Sequence, residues 1–184
     1  MEFASVMVGK SEIQTPKSEI AIVAIGSNLG DSPVLVCRAI GRLQELSDQP
    51  LLVSSLWQST PVDCPPGSPL FVNAVVGLFP RASETPETLL ARLQAFETAF
   101  GRRPKQVLNE PRPLDLDLIA FGSATRRNPA LTLPHPRAGQ RRFVLAPLAE
   151  IAAEFVLPGQ PATVAALLAA LPSAEMLRKL PADA

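Results

Sequence analysis

Cysteine is scarce in this chain, and so is histidine. Cys37 and Cys64 are its two cysteines, with no CxxC pair, which excludes a disulfide framework and the ligand spacing of a zinc site. His135 is the single histidine, so a His-rich metal site is excluded as well. Net charge is also lacking. Seventeen Lys+Arg balance 17 Asp+Glu, and no global field draws the protein to nucleic acid or to an anionic membrane. No stretch reaches the ~18 uncharged apolar residues of a membrane span. The amino end, MEFASVMVGKSEIQTPKSE, has neither the apolar core nor the cleavage pattern of a secretory signal. A reducing, cytoplasmic setting is the expectation.

What is present describes a folded domain. The chain has 184 residues, 47% hydrophobic and 18% charged, enough to bury a full core and unlike a disordered tail. Its 20 prolines are about twice the usual share and lie between periodic segments, so they stiffen loops. Residues 1–18 read as a polar lead-in whose order the sequence leaves open. Residues 19–184 show no repeat and no linker, and we expect them to form one domain.

The periodicity predicts an ordered series of elements. Ile20–Ile25 is short, β-branched and apolar, a strand that ends in Gly26-Ser-Asn-Leu-Gly-Asp31. Asp31 or Ser32 can cap a helix with Pro33 at its first position, running to about Leu46. Leu51–Trp57 reads as a second strand, Thr60–Pro69 as a stiff loop, and Phe71–Phe79 as a third strand with Asn73 as its one strongly polar member. Thr85-Pro86-Glu87 opens a second helix that Gly101 closes. Leu114–Phe121 begins with strict alternation, Leu-Asp-Leu-Asp-Leu, which gives a strand one apolar face. The order β-α-β-β-α-β is that of an α+β, ferredoxin-like antiparallel sheet with two helices on one face. Helices over Arg142–Ile151 and near Thr163–Leu171 add to it at the C-terminal side.

The zero net charge hides an asymmetry. Between Gly101 and Arg142 stand nine basic residues and three acids, a surplus of six positive charges that the rest of the chain offsets. Most of the nine are arginines, whose forked guanidinium suits phosphate oxygens; a solvated basic surface is the bland alternative. Asp115 and Asp117, two apart on a strand, point to one face about 6.5–7 Å from each other. They could be the wet side of an antiparallel strand. They could also hold a divalent cation, since Mg²⁺ favours one or two carboxylates plus substrate phosphates. Arg112, just before the pair, favours the second reading.

Other candidates leave alternatives open. His135, between two prolines, is either a structural hydrogen-bonder or a nucleotide contact. Gly26–Gly30 matches neither GxxxxGK[ST] nor GxGxxG and reads as a strand-to-helix turn. Gln94 and Glu97 could belong to a solvated helix face. A ferredoxin-like sheet can also be an RNA-binding module. Here, however, the RGFGFVxF-type strand is missing, and an aspartate pair would repel phosphate in the absence of metal.

Three blocks carry a resemblance. They are Gly26-Ser-Asn-Leu-Gly-Asp31 after a first strand, Asn109-Glu-Pro-Arg-Pro-Leu-Asp-Leu-Asp-Leu118, and Leu131-Thr-Leu-Pro-His-Pro-Arg137 running into Arg141-Arg-Phe-Val-Leu-Ala-Pro-Leu148. Over about residues 20–160 the chain resembles the 6-hydroxymethyl-7,8-dihydropterin pyrophosphokinases of folate synthesis. The resemblance implies transfer of a pyrophosphoryl group from ATP to the pterin hydroxymethyl, with release of AMP, on a ferredoxin-like fold. It implies Asp115 and Asp117 as ligands of two Mg²⁺ ions. Arg102 and Arg112 are implied as catalytic contacts to the phosphates, and Gln94, Glu97, Thr132, His135 and Arg141 as further parts of the ATP site. Ser59, Thr60, Val62, Phe71, Asn73 and Phe143 are implied for the pterin, the two aromatics by stacking and Asn73 by reading the ring edge. ATP and the pterin are then the partners of a monomer that binds neither nucleic acid nor membrane.

Overall fold

The computed structural model describes residues 20–104, 107–173 and 176–181. The polar lead-in 1–18 and Lys105 of the basic segment lie outside the described residues. The elements in chain order are β1 (Ala21–Ser27), α1 (Ser32–Leu43), β2 (Leu52–Val53), β3 (Trp57–Ser59), β4 (Phe71–Leu78), α2 (Pro86–Ala99), β5 (Asp115–Phe121), β6 (Arg126–Arg127), β7 (Thr132–Leu133), α3 (Arg142–Ala152), α4 (Val164–Ala170) and β8 (Leu177–Lys179). The main sheet runs β5-β1-β4-β3-β8, with β2 also paired to β4. Every pairing is antiparallel. This is the predicted β-α-β-β-α-β arrangement, with a short C-terminal strand added at the β3 edge.

Local chemistry sets the element ends. Asp31 caps α1, its Oδ1 accepting from Val34 N at 3.3 Å, and Pro33 sits in the first turn where no N–H is needed. α1 stops at Leu43 and a 3₁₀ turn, Gln44–Leu46, finishes the predicted length. At α2 the hydroxyls of Thr85 and Thr88 each accept from the other residue's backbone N–H, closing a capping box. Gly101 ends that helix at φ +91°, a conformation open to glycine.

The predicted strand Leu51–Trp57 is split. Ser54 Oγ accepts the Val75 N–H at 2.9 Å, so a side chain takes the place of a ladder carbonyl and β2 breaks from β3. The strand count along the chain rises by one, and the topology is unchanged.

The sheet is covered on both faces. On one, Val36, Ala39 and Leu43 of α1 and Leu89 and Leu93 of α2 pack on Val23, Ile25, Ala74, Val76, Leu116 and Leu118. On the other, Val144, Leu145 and Leu148 of α3 and Val164 of α4 pack on Ile22, Val75, Ile119 and Ala120. β4 is therefore buried at every position. β5 serves both cores through a bulge: Val23 pairs with Leu118 and Ile22 with Ala120, leaving Ile119 over. Among the described residues no helix is long and apolar enough to cross a membrane.

Leu93 is fully buried in the core beneath α2. Leu93→Ala removes its packing and leaves a cavity, so it should cost about 2–5 kcal/mol. Urea unfolding followed by circular dichroism measures this, and a loss below 1 kcal/mol would mean that α2 does not pack as described.

Candidate active site

The C-terminal helices cover only part of the second face. At the other end of that face the sheet carries polar groups, and the register states which. Asp115 pairs with Gly26, Gly26 with Asn73, and Asn73 with Trp57. One row therefore reads carboxylate, empty position, amide, indole. The next residues along the strands put Ser59 opposite Phe71. A Cβ built on Gly26 would stand 3.6 Å from Asn73 Oδ1 and from the Phe71 ring, and 3.9 Å from Asp115 Cβ. Glycine here leaves open a floor between three side chains.

Around that floor lies a narrow cavity of about 50 Å³, bordered by Ser59, Thr60, Val62, Phe71, Asn73 and Phe143. All six residues implied for the pterin thus come together. A second cavity of about 220 Å³ holds Gln94, Glu97, Arg102, Arg112, Asp115, Asp117, His135 and Arg141. The two cavities share Asn109, Arg112, Asp115, Asp117 and Arg141. Thr132 is not among the lining residues; it is exposed on β7, opposite Arg127.

Asp115 is the electrostatic centre. Burial alone would raise its pKa, but Arg112 Nη2 at 2.5 Å and Arg102 Nη1 at 2.7 Å outweigh that and hold it below the ordinary carboxylate range. Asp117 goes the other way: burial and the neighbouring Asp115 charge push its carboxyl up. Its cationic neighbour is Arg141, Nη1 to Oδ2 3.8 Å. The Arg112 Nε is buried with no hydrogen-bond partner among the described residues.

Loop contacts place these arginines. Asn28, of the Gly-Ser-Asn turn, exchanges bonds with the Arg112 backbone: Arg112 N donates to Asn28 Oδ1 at 2.8 Å and Asn28 N to Arg112 O at 3.2 Å. The turn that looked like a plain strand-to-helix connection is thus the seat of Arg112. Arg112 also lies over the Phe71 ring, 5.3 Å to its centroid, and Arg141 over Phe143 at 5.4 Å. Each charged group therefore leans on an aromatic wall of the neighbouring cavity.

His135 is held by its own backbone. Its N–H donates at 2.8 Å to the carbonyl of Ile119, the residue left over by the β5 bulge. Its Nδ1 accepts from Arg137 N at 3.3 Å, so the ring proton sits on Nε2. Burial, and with it the nearby arginines, lowers its pKa against the pull of Asp117.

Glu97 is not on a solvated face. It is 8% exposed, accepts from Leu116 N at 2.7 Å and touches the Arg102 guanidinium. Sequence reasoning omitted Asn28, Gly26, Asn109 and Cys64 from the site. The first two stand in the Gly26–Asp31 block. Asn109 has a positive φ of 55° and donates through Nδ2 to Asp63 O at 2.7 Å, tying the two long loops.

Comparison with known proteins was made against this geometry. The family model described as 7,8-dihydro-6-hydroxymethylpterin-pyrophosphokinase matches residues 22–153. The chain is 39% identical over 150 residues to the 2-amino-4-hydroxy-6-hydroxymethyldihydropteridine pyrophosphokinase of Synechocystis sp., covering 80% of this chain and 74% of that one. It is 37% identical over 139 residues to the Haemophilus influenzae enzyme of the same name, covering 75% and 84%. It is also 35% identical over 141 residues to folic acid synthesis protein fol1 of Pneumocystis carinii, covering 77% of this chain but only 18% of that protein. The Plasmodium falciparum HPPK-DHPS structure with pterin and p-hydroxybenzoate shares the fold at TM-score 0.62 and 13% identity. That match covers 85% of this chain and 44% of the other. The chain therefore spans most of the two bacterial relatives and less than half of the longer eukaryotic proteins.

The raised pKa of Glu97 makes a pH prediction. Burial, opposed by the Leu116 N–H and Arg102, pushes it from 4.5 up to about 7. The native state then holds a proton that the unfolded chain has released. The associated stability is complete below about pH 4.5 and is lost as pH rises through about 7. In chelator-treated protein, the denaturant midpoint of the wild type should fall over that window more than that of Glu97→Gln. Parallel curves would refute the assignment.

Proposed function

The chain belongs to the 7,8-dihydro-6-hydroxymethylpterin-pyrophosphokinase family, and on that premise we propose that it transfers pyrophosphate from ATP to the hydroxymethyl group of 6-hydroxymethyl-7,8-dihydropterin in folate synthesis, with AMP as the other product. One observation carries the reading: the two cavities meet at Arg112, Asp115, Asp117 and Arg141. A flat ring in the first would bring its substituent to the phosphates of a nucleotide in the second.

The ring site follows from polar and aromatic placement. Phe71 and Phe143 offer faces for stacking, Asn73 a hydrogen-bonding group, and Gly26 the space. The nucleotide site is basic, with Arg102, Arg112 and Arg141 set to meet phosphate oxygens and His135 beside them. A single chain carries every residue of this assignment, which suits a monomer.

Mg²⁺ fits the carboxylates under a stated condition. Among the described residues no group of three or more His, Cys, Asp or Glu side chains could hold a metal, so an all-protein cage is excluded there. Two carboxylates on one face suit a cation that takes its remaining ligands from phosphate and water, and the orphaned Arg112 N–H beside them suits a phosphate oxygen. Asp115 and Asp117 would hold it, and when bound it supplies charge neutralisation and alignment of the phosphate oxygens. Arg102 and Arg112, now paired to Asp115, would exchange that carboxylate for phosphate oxygens. Transfer of this kind asks for in-line positioning and charge stabilisation more than for a strong side-chain base. None of the site side chains needs to act as a nucleophile.

Incubation with ATP, Mg²⁺ and the reduced pterin should yield AMP, resolved by ion-exchange chromatography; ADP as product would sink the proposal. Asp115→Asn and Asp117→Asn, which keep the side-chain shape and an acceptor oxygen for the arginines, should each lower kcat on the order of a hundredfold or more while the circular dichroism spectrum stays native. Near-normal activity in either variant would remove that residue from the cation site.

A further inference from the structure

β3 is three residues long, and a strand so short holds its place only through its neighbours. On one side it pairs with β4, with Trp57 opposite Asn73 and Ser59 opposite Phe71. On the other it pairs with β8, with Trp57 opposite Lys179 and Ser59 opposite Leu177. β8 lies outside residues 22–153, the span of the family match. Its bonds reach past both ends of β3. Leu180 N donates to Leu56 O at 2.8 Å, and Thr60 N donates to Met176 O at 3.1 Å. Side chains add two ties. Arg178 Nε donates to Gln58 Oε1 at 2.9 Å, and Lys179 Nζ lies 2.9 Å from Oε1 of Glu150 on α3.

The Thr60 bond falls where the chain leaves the sheet. The next residue, Pro61, has no N–H, so the Thr60 donor is the last one that can hold the start of the loop to a neighbouring strand. Ser59, Thr60 and Val62 border the aromatic cavity, and none of them borders the charged one. We infer that β8 is a positioning element for the ring substrate: by taking the Thr60 N–H at Met176 O it fixes where the loop departs, and so it sets ring affinity without touching either substrate. This rests on the pterin reading above. Without β8, β3 becomes the sheet edge, and the Ser59–Val62 wall has to be ordered when the ring binds. Ordering the backbone of one residue at that moment corresponds to about tenfold in affinity. The charged cavity is lined from α2, β5 and the loops beside them, whereas β8 pairs with β3 alone. The effect therefore falls on the ring and spares the nucleotide.

The experiment compares full-length wild type, Arg178→Pro and Arg178→Ala. Proline at the centre of β8 removes a ladder donor and breaks the pairing; alanine keeps the backbone and loses only the contact to Gln58. Initial rates with ATP, Mg²⁺ and 6-hydroxymethyl-7,8-dihydropterin give KM for each substrate. Arg178→Pro should raise the pterin KM about tenfold and leave the ATP KM unchanged. Arg178→Ala should keep both KM values within about twofold of wild type. Amide hydrogen exchange followed by NMR reads the pairing directly: the Thr60 N–H should be protected in wild type and in Arg178→Ala, and exchange fast in Arg178→Pro. Should Arg178→Pro fail to fold, Leu180→Pro carries the same comparison, because it removes only the bond to Leu56 at the end of the strand. An unchanged pterin KM in the proline variant overturns the inference, as do equal rises in both KM values or an unprotected Thr60 amide in wild type. A folded wild type that does not turn the pterin over overturns the functional reading instead.

Discussion

A buried carboxylate with two guanidinium partners organises this molecule. Asp115 is 16% exposed in its side chain, and a charge so placed is stable only when it is paired. Its partners arrive from different directions: Arg102 from the end of α2 and Arg112 from the loop before β5. Holding both against one carboxylate ties the end of α2 to the loop before β5.

The next constraint is a missing side chain. Antiparallel register lines up Asp115, Gly26 and Asn73 across three strands, and only the middle position lacks a Cβ. The polar ends of the row therefore face a shared gap instead of being separated by packing. Arg112 over Phe71 and Arg141 over Phe143 close the gap from above and link the charged and aromatic halves of the site. Electrostatics and stacking are thereby coupled through the same two side chains.

Much of this was legible in the residues. The caps at Asp31 and Thr85, the alternation from Leu114 and the apolar run after Phe71 mark local preferences, and local preferences can be read along a chain. The aspartate pair and the arginine-rich segment were visible as composition. Other features were not. The break at Ser54 comes from its hydroxyl bonding to Val75, a residue on another strand. The burial of Glu97 comes from Leu116 lying beneath α2, and the seat of Arg112 from Asn28, 84 positions away. Thr132, grouped with the nucleotide residues by its motif, stands on a small separate hairpin outside both cavities.

By itself the sequence determined the element order, the apolar faces and the chemical kind of the site, because each depends on residue type and short-range spacing. Its blocks also carried the family resemblance. Only the tertiary structure decided that the aromatic cavity and the charged cavity share a wall, and that Gly26 is the gap between Asp115, Asn73 and Phe71. Those depend on strand register and on contacts between residues far apart in the chain, and neither spacing nor composition encodes them directly.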